Sequence, residues 1–368
     1  MLPHLWVLLS PKMVRSKRRV FGSMQPNLIV RADANAQMGT GHLMRCLALA
    51  QSWKTRGGEA TFITCCESRS LRQSLADAGM QVVMLDRTHP NPLDWELTSQ
   101  ILQKHSNAWV VLDGYHFDPE YQKRVKNTGQ QLLVIDDTAH LDHYYADIIL
   151  NQNISADKLS YSCDPNTRLL LGTKYVLLRS EFHAWRDWQR EVPEIARRAL
   201  VTLGGGDPYN VTLQVINSLK ILSISDLEVR VVVGASNPHI QILREALFSV
   251  PCTLRLLHNV ENMPDLMAWA DLAVSAGGST AWELAFMRVP ALILTIADNQ
   301  EGIGKDLQHS GAALNLGWYN ILDVQDLKTA VSNILFDREK RAKMSENGTK
   351  LVDGNGVNRL YSFLKRDF

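Results

Sequence analysis

The chain has 368 residues, 45% hydrophobic and 21% charged, with 39 Lys and Arg against 38 Asp and Glu for a formal charge of +1. That length predicts two domains, each able to bury a full core, and a balanced charge without long single-sign runs argues against nucleic acid or an anionic membrane surface as partner. The five cysteines (Cys46, Cys65, Cys66, Cys163 and Cys252) include no C-x-x-C pair, which predicts a reduced, cytoplasmic protein without a zinc site.

Residues 1–26 carry an apolar patch, Leu5 to Leu9, followed by the basic cluster Lys12, Arg15, Lys17, Arg18 and Arg19. The order is the reverse of a signal peptide and the patch is too short to span a bilayer, so a leader or disordered tail is expected there, without stable membrane insertion. Leu28 to Val30 then read as a strand. Leu43, Cys46, Leu47 and Ala50 recur at helical spacing behind the Gly39-Thr-Gly41 turn, which puts His42 in the first helical turn at the strand's carboxyl end. A helix start disfavours imidazolium, so a neutral His42 able to accept a proton is predicted; the alternative is a Gly-rich connector with a space-filling histidine. Asp33, just past the strand, either orients His42, contacts a ligand or caps its own loop.

Further strands are predicted at Ala60 to Thr64, Gln81 to Leu85, Trp109 to Leu112 and Leu132 to Ile135. They alternate with helical patterns near Ser70 to Ala78, Leu93 to Gln103 and Pro119 to Lys126, as in a parallel sheet. Asn151 to Thr167 reads as loop, and Glu181 to Arg198 as a helix followed by a linker. The pattern restarts with Ala199 to Leu203, Val229 to Val233, Leu254 to Leu257, Leu272 to Ser275 and Ala291 to Leu294. The predicted class is therefore α/β, with two Rossmann-like doubly wound domains, 27–180 and 199–368, joined by 181–198 and facing across a cleft. The last helix is expected to pack back on the first domain.

Polar and glycine-rich loops fall at one edge of these strands: Met38 to His42, Asp113 to Tyr115 and Asp136-Asp137, then Gly204 to Asp207, Ala276 to Thr280 and Ala297 to Gln300. In Ala276 to Glu283 two glycines precede a helix that Ser279 or Thr280 is expected to cap, so backbone N–H groups converge where a diphosphate can approach. Glu283, one turn on, is in reach of vicinal hydroxyls; the competing reading is a simple cap with a surface glutamate. Neither a P-loop nor a dinucleotide fingerprint occurs, which counts against ATP hydrolysis and hydride transfer. Asp136 and Asp137 read as turn or capping residues, and Trp185, Trp188 and Trp282 as packing between helices.

Arg31-Ala-Asp-Ala with Met38 to Arg45, Gly204-Gly-Gly-Asp-Pro208, Ala276-Gly-Gly-Ser-Thr280 with Trp282-Glu283, and Asn299-Gln300 together resemble the UDP-sugar hydrolases of pseudaminic acid biosynthesis. Each motif is weak alone, and their order and spacing make the set specific, from about Asn27 to the end. That family is similar in fold to the GT-B glycosyltransferases. The resemblance implies hydrolysis of a UDP-linked 2,4-diacetamido-2,4,6-trideoxy sugar to UDP and the free sugar; no cofactor is expected, and no metal either, because the Ala276 to Thr280 helix start offers the diphosphate its own stabilisation. The resemblance also implies catalytic roles for His42 and Tyr115 and site roles for Asn299 and for the Gly277-Gly278-Ser279-Thr280 helix start with Glu283; Asp33 is added as a catalytic candidate from its place at the strand end, and Gly39, Gly41, Arg45, Gly205, Gly206 and Gln300 are expected to contact substrate or UDP from their places in these loops. Position 114 is Gly where some relatives carry a bulkier residue, a departure that bears on sugar stereochemistry. Two other classes share the UDP features: a GT-B glycosyltransferase, which needs an acceptor pocket, and an inactive nucleotide-sugar-binding protein, which does not need His42.

Overall fold

The computed structural model describes residues 26–365, apart from 106, 223, 225, 235–236, 248–252, 259 and 261. The basic leader read at residues 1–26 and Cys252 therefore lie outside the described residues, except for Pro26, whose carbonyl accepts from Trp53 Nε1 at 2.9 Å.

Two parallel sheets follow one another along the chain. The first comprises β1 (Leu28–Ala32), β2 (Ala60–Thr64), β3 (Gln81–Met84), β4 (Trp109–Asp113), β5 (Gln131–Ile135), β6 (Ile148–Asn151) and β7 (Arg168–Leu171), in the order β3-β2-β1-β4-β5-β6-β7. The second comprises β8 (Arg198–Thr202), β9 (Glu228–Val233), β10 (Thr253–His258), β11 (Leu272–Ala276), β12 (Ala291–Thr295) and β13 (Ala313–Trp318), in the order β10-β9-β8-β11-β12-β13. Among the described residues all strand pairs are parallel, with helices joining most consecutive strands. β1, β2, β4, β11 and β12 are buried along their whole length because helices cover both faces, which is why their sequences run apolar without alternation.

Three strands depart from the sequence reading. β6 and β7 are four residues each and flank the polar segment read as loop, while β13 is an edge strand broken by a register shift opposite Ile293 and Leu294. Glu181 to Arg198 is not an α-helix: Ser180–Trp185 forms a short 3-10 helix, and Arg198 already opens β8. Trp185 and Trp188 stand edge to face with each other, centroids 5.4 Å apart, and lie against the second sheet's core, in which Trp282 is fully buried. The final helix, Gly356–Leu364, lies on the first sheet's core: Val357, Leu360 and Leu364 join its cluster, and Trp109 Nε1 donates to the Leu364 carbonyl at 3.1 Å.

In each sheet the strand order reverses at one point, between β1 and β4 in the first and between β8 and β11 in the second. Open α/β sheets bind ligands at the carboxyl ends of those strands, where loops diverge and leave a crevice. The two crevices face each other.

Candidate active site

The cleft encloses about 1170 Å³ and is lined from the first sheet by residues of the loops after β1 and β4, and from the second by those after β8, β11 and β12. Three helices start on it: Gly41–Thr55, Ser279–Phe286 and Asp298–His309. None of their N-caps, Thr40, Gly278 and Ala297, supplies a side-chain hydrogen bond. Elsewhere in the fold Ser68, Asn91, Asp118, Asp323 and Asp337 cap helices, whereas His239, Asn262 and Asn355 do not. First-turn N–H groups left without a side-chain acceptor, at the positive end of the helix dipole, are disposed to receive an anionic oxygen.

The expected cap at Ser279 or Thr280 is thus corrected. Gly278 takes the cap position in extended backbone, and Ser279 and Thr280 sit inside the first turn lining the cleft. Close approach explains several of the glycines. A Cβ on Gly206 would stand 2.2 Å from the Ala36 carbonyl, and Ser279 Oγ lies 3.3 Å from where Gly41 would carry one, so the two halves touch through their glycine loops. Gly39 adopts φ +72°, a left-handed turn that glycine enters without strain. Gly277 packs on the backbone of Gln300 instead of lining the cleft, and Gln300 Oε1 accepts from Ile296 N–H.

At the first sheet's switch point His42 meets Asp113, the last residue of β4, with Nδ1 to Oδ1 at 2.6 Å. A carboxylate only accepts, so Nδ1 carries the proton toward Asp113, which in the uncharged form of the ring puts the lone pair on Nε2. Asp113 is fully buried and also accepts from Arg45 Nε and Nη2, both at 2.7 Å. Burial pushes its carboxyl up, but Arg45 and His42 outweigh this and hold it well below the usual range. Arg45 Nη1 continues to both oxygens of Asp137 at 2.9 Å. Asp137 accepts from the Tyr115 hydroxyl at 2.7 Å, and that hydroxyl accepts from Asn299 Nδ2 at 3.0 Å. The Tyr115 ring stands edge to face with His42, centroids 5.2 Å apart. Burial, with Asp137 beside it, pushes the Tyr115 phenol well above its ordinary value, so it stays protonated.

His42, Tyr115 and Asn299, which come from different strand ends and from both halves of the chain, are therefore brought together. Asp33 is not with them. It is fully buried, paired with Arg31 (Nη1 to Oδ1, 2.5 Å), and accepts from Cys65 N–H and from His116 Nε2 at 3.0 Å. The carboxylate that orients His42 is Asp113, to which the sequence reading gave no role. Arg45 lines the cleft, but its guanidinium is occupied by Asp113 and Asp137, so the structure makes it a positioning residue more than a ligand contact. Asp136 caps its turn through Thr138 and Ala139 N–H, as read; Asp137 instead belongs to the network just described. Glu283 lines the cleft and pairs with Arg179, Nη2 to Oε1 at 3.2 Å. Among the described residues no three His, Cys, Asp or Glu side chains are grouped to hold a metal ion, and no helix is long and apolar enough to cross a membrane.

Residues 199–357 match the glycosyltransferase family 28 C-terminal domain. Along most of its length the chain is 25% identical over 336 residues to the spore coat polysaccharide biosynthesis protein SpsG of Bacillus subtilis, covering 91% of this chain and 96% of that protein. It is 24% identical over 297 residues to the UDP-2,4-diacetamido-2,4,6-trideoxy-beta-L-altropyranose hydrolase of Campylobacter jejuni, covering 77% of this chain and 97% of that one. Among solved structures, Acinetobacter baumannii MurG superposes with a TM-score of 0.61 at 15% identity, over 93% of this chain and 100% of that one. With two parallel-sheet α/β halves facing across a cleft, the fold is GT-B.

Proposed function

We propose that this chain is a UDP-sugar hydrolase that converts a UDP-linked 2,4-diacetamido-2,4,6-trideoxyhexose to UDP and the free sugar. The observation that carries this is the His42–Asp113 pair at the wall of a cleft whose opposite side presents uncapped helix starts. In this reading the diphosphate lies on the Ser279 and Asp298 helix starts, and Glu283 accepts from the ribose hydroxyls. A nucleoside diphosphate leaves readily, so the barrier is lowered by stabilising its developing charge and by delivering water. His42 Nε2 takes a proton from water as the oxygen bonds to the anomeric carbon and the carbon–oxygen bond to the diphosphate breaks. Attack opposite the leaving group inverts that carbon. Tyr115 and Asn299, joined across the two halves, would hold the sugar against His42. The choice of sugar is supported by the Campylobacter jejuni relative, and a reducing cytoplasmic setting by the unpaired state of Cys46, Cys65, Cys66 and Cys163.

Incubating the protein with UDP-sugars, without acceptor and in excess EDTA, tests the reading. UDP release is expected, because helix starts in place of a bridging ion meet the diphosphate. The family 28 match favours one second reading, transfer of the sugar to an acceptor. Under that reading UDP appears only when an acceptor is supplied.

A further inference from the structure

Arg179 lies in the connection between β7 and β8, outside every motif the sequence offered, yet it reaches the nucleotide side of the cleft. It is 7% exposed and stacks over Phe182, with its carbon 5.5 Å from the ring centroid. Its Nη1 pairs with Glu181 at 2.6 Å and its Nη2 with Glu283 at 3.2 Å, while its Nε is buried without a partner. The fork therefore joins a glutamate of the interdomain connection to a glutamate of the helix Ser279–Phe286, and ring stacking limits its freedom to turn elsewhere.

We propose that Arg179 is the positioning residue that keeps Glu283 ionised and aimed at the vicinal hydroxyls of the bound nucleotide. The inference rests on the reading of Glu283 as the ribose contact. The Glu283 side chain is 15% exposed; a largely buried carboxylate is driven toward its protonated form, and a protonated acid is a weaker acceptor for a hydroxyl. Burial raises the Glu283 carboxyl above its ordinary value, and Arg179 opposes that rise without cancelling it. The helix carrying Glu283 packs on helices Gly41–Thr55 and Arg338–Leu351; among the described residues Arg179 and Glu181 are the charged groups that act on Glu283, and Glu181 acts in the opposite sense. Arg179 thus separates two carboxylates that would otherwise raise each other's proton affinity. It also ties the chain connecting the two halves to the nucleotide-holding helix.

The test is UDP affinity of the full chain, by calorimetry from pH 5.5 to 8. The wild-type profile is expected to weaken toward the acid end by less than about twofold, because the Glu283 carboxyl is raised but still opposed by Arg179, whereas Arg179→Gln binds about fivefold more weakly at the acid end than at the alkaline end, as a charged hydrogen bond becomes a neutral one. Arg179→Lys keeps the charge without the fork and carries the same test should Arg179→Gln fail to fold; its pH dependence is expected to be smaller but present. In a Glu283→Gln background the profile should be flat, and adding Arg179→Gln should change nothing further. A pH-independent loss of equal size in both Arg179 variants, repeated in the Glu283→Gln background, would reduce Arg179 to a structural role and overturn the proposal. If Glu283→Gln alone binds UDP as tightly as wild type, the ribose assignment fails and this proposal fails with it. Weakened binding in Glu283→Gln together with a flat Arg179→Gln profile refutes the proposal alone.

Discussion

Asp113→Asn keeps the heavy-atom count of the site and removes a charge that His42 and Arg45 share. The carboxylate accepts three bonds of 2.6 to 2.7 Å from these two residues in a fully buried position. An asparagine amide placed against Nδ1 can donate to it, which moves the ring proton to Nε2 and leaves no lone pair for water; with the amide turned over, the imidazolium formed in the reaction loses its counter-charge. Loss of a general base of this kind costs about two to four orders of magnitude in kcat. Arg45 keeps Asp137, so the stability loss is that of a partly compensated buried cation, about 2–4 kcal/mol. UDP affinity should hardly move, because Asp113 faces protein groups only. The assay is UDP release at saturating UDP-sugar, with urea unfolding and UDP calorimetry on the same preparation. A kcat within about threefold of wild type, or a loss that tracks UDP affinity, would refute the argument.

Glu283→Ala should weaken UDP binding by roughly 1–3 kcal/mol and raise KM more than it changes kcat; unchanged UDP affinity by calorimetry would place the ribose elsewhere. Gly206→Ala puts a Cβ 2.2 Å from a backbone oxygen of the facing half and should cost about 1–3 kcal/mol in urea unfolding. Gly278→Ala meets only Gln300 Nε2 at 4.0 Å and should leave the unfolding midpoint unchanged, so equal effects of the two would contradict the closed glycine contact. Burial pushes the carboxyls of Asp33, Asp113 and Asp136 up, yet hydrogen bonds and cations (His116 and Arg31, Arg45 and His42, and His140 with two N–H groups, respectively) bring all three below the ordinary range. Stability from such groups is complete above the unfolded value of about 4 and is lost as pH falls toward the folded values, so melting temperature should drop between pH 5 and 3. The drop should be shallower in Asp136→Asn, and identical slopes would contradict this.

The alternation of apolar runs with helical patterns was enough to place ten of the thirteen strands among the described residues; most of them are buried on both faces and so run apolar, while β3 and β10, more exposed, were placed by their short apolar runs. β6, β7 and β13 escaped that signal: the first two are four-residue runs beside Asn, Ser, Asp and Pro, and the third holds Asn315 and Gly317 at a sheet edge. For the site, local sequence pointed to what lies on one turn, such as His42 behind Gly41 and the glycines before Ser279. It did not show which strand end would face which. Asp113 reaches His42 because β4 pairs with β1, with Ala32 opposite Asp113, across 71 residues of chain. Knowing the strand order β3-β2-β1-β4 would have been sufficient to find it, since the switch point selects the ends of those two strands. Asp33 misled for the converse reason: it is adjacent to the His42 loop in sequence, but it lies buried, held by Arg31 of the preceding strand β1 and bonded to Cys65 N–H.

The central claim, that His42 directs water to the anomeric carbon of a UDP-sugar, is tested most directly by a single turnover in water enriched in heavy oxygen, with mass analysis of both products. The account predicts the label in the released sugar and none in UDP, with the reaction slowed in His42→Asn by about two to four orders of magnitude. Label in the released UDP would mean that water attacks phosphorus, and the role given to His42 would be wrong.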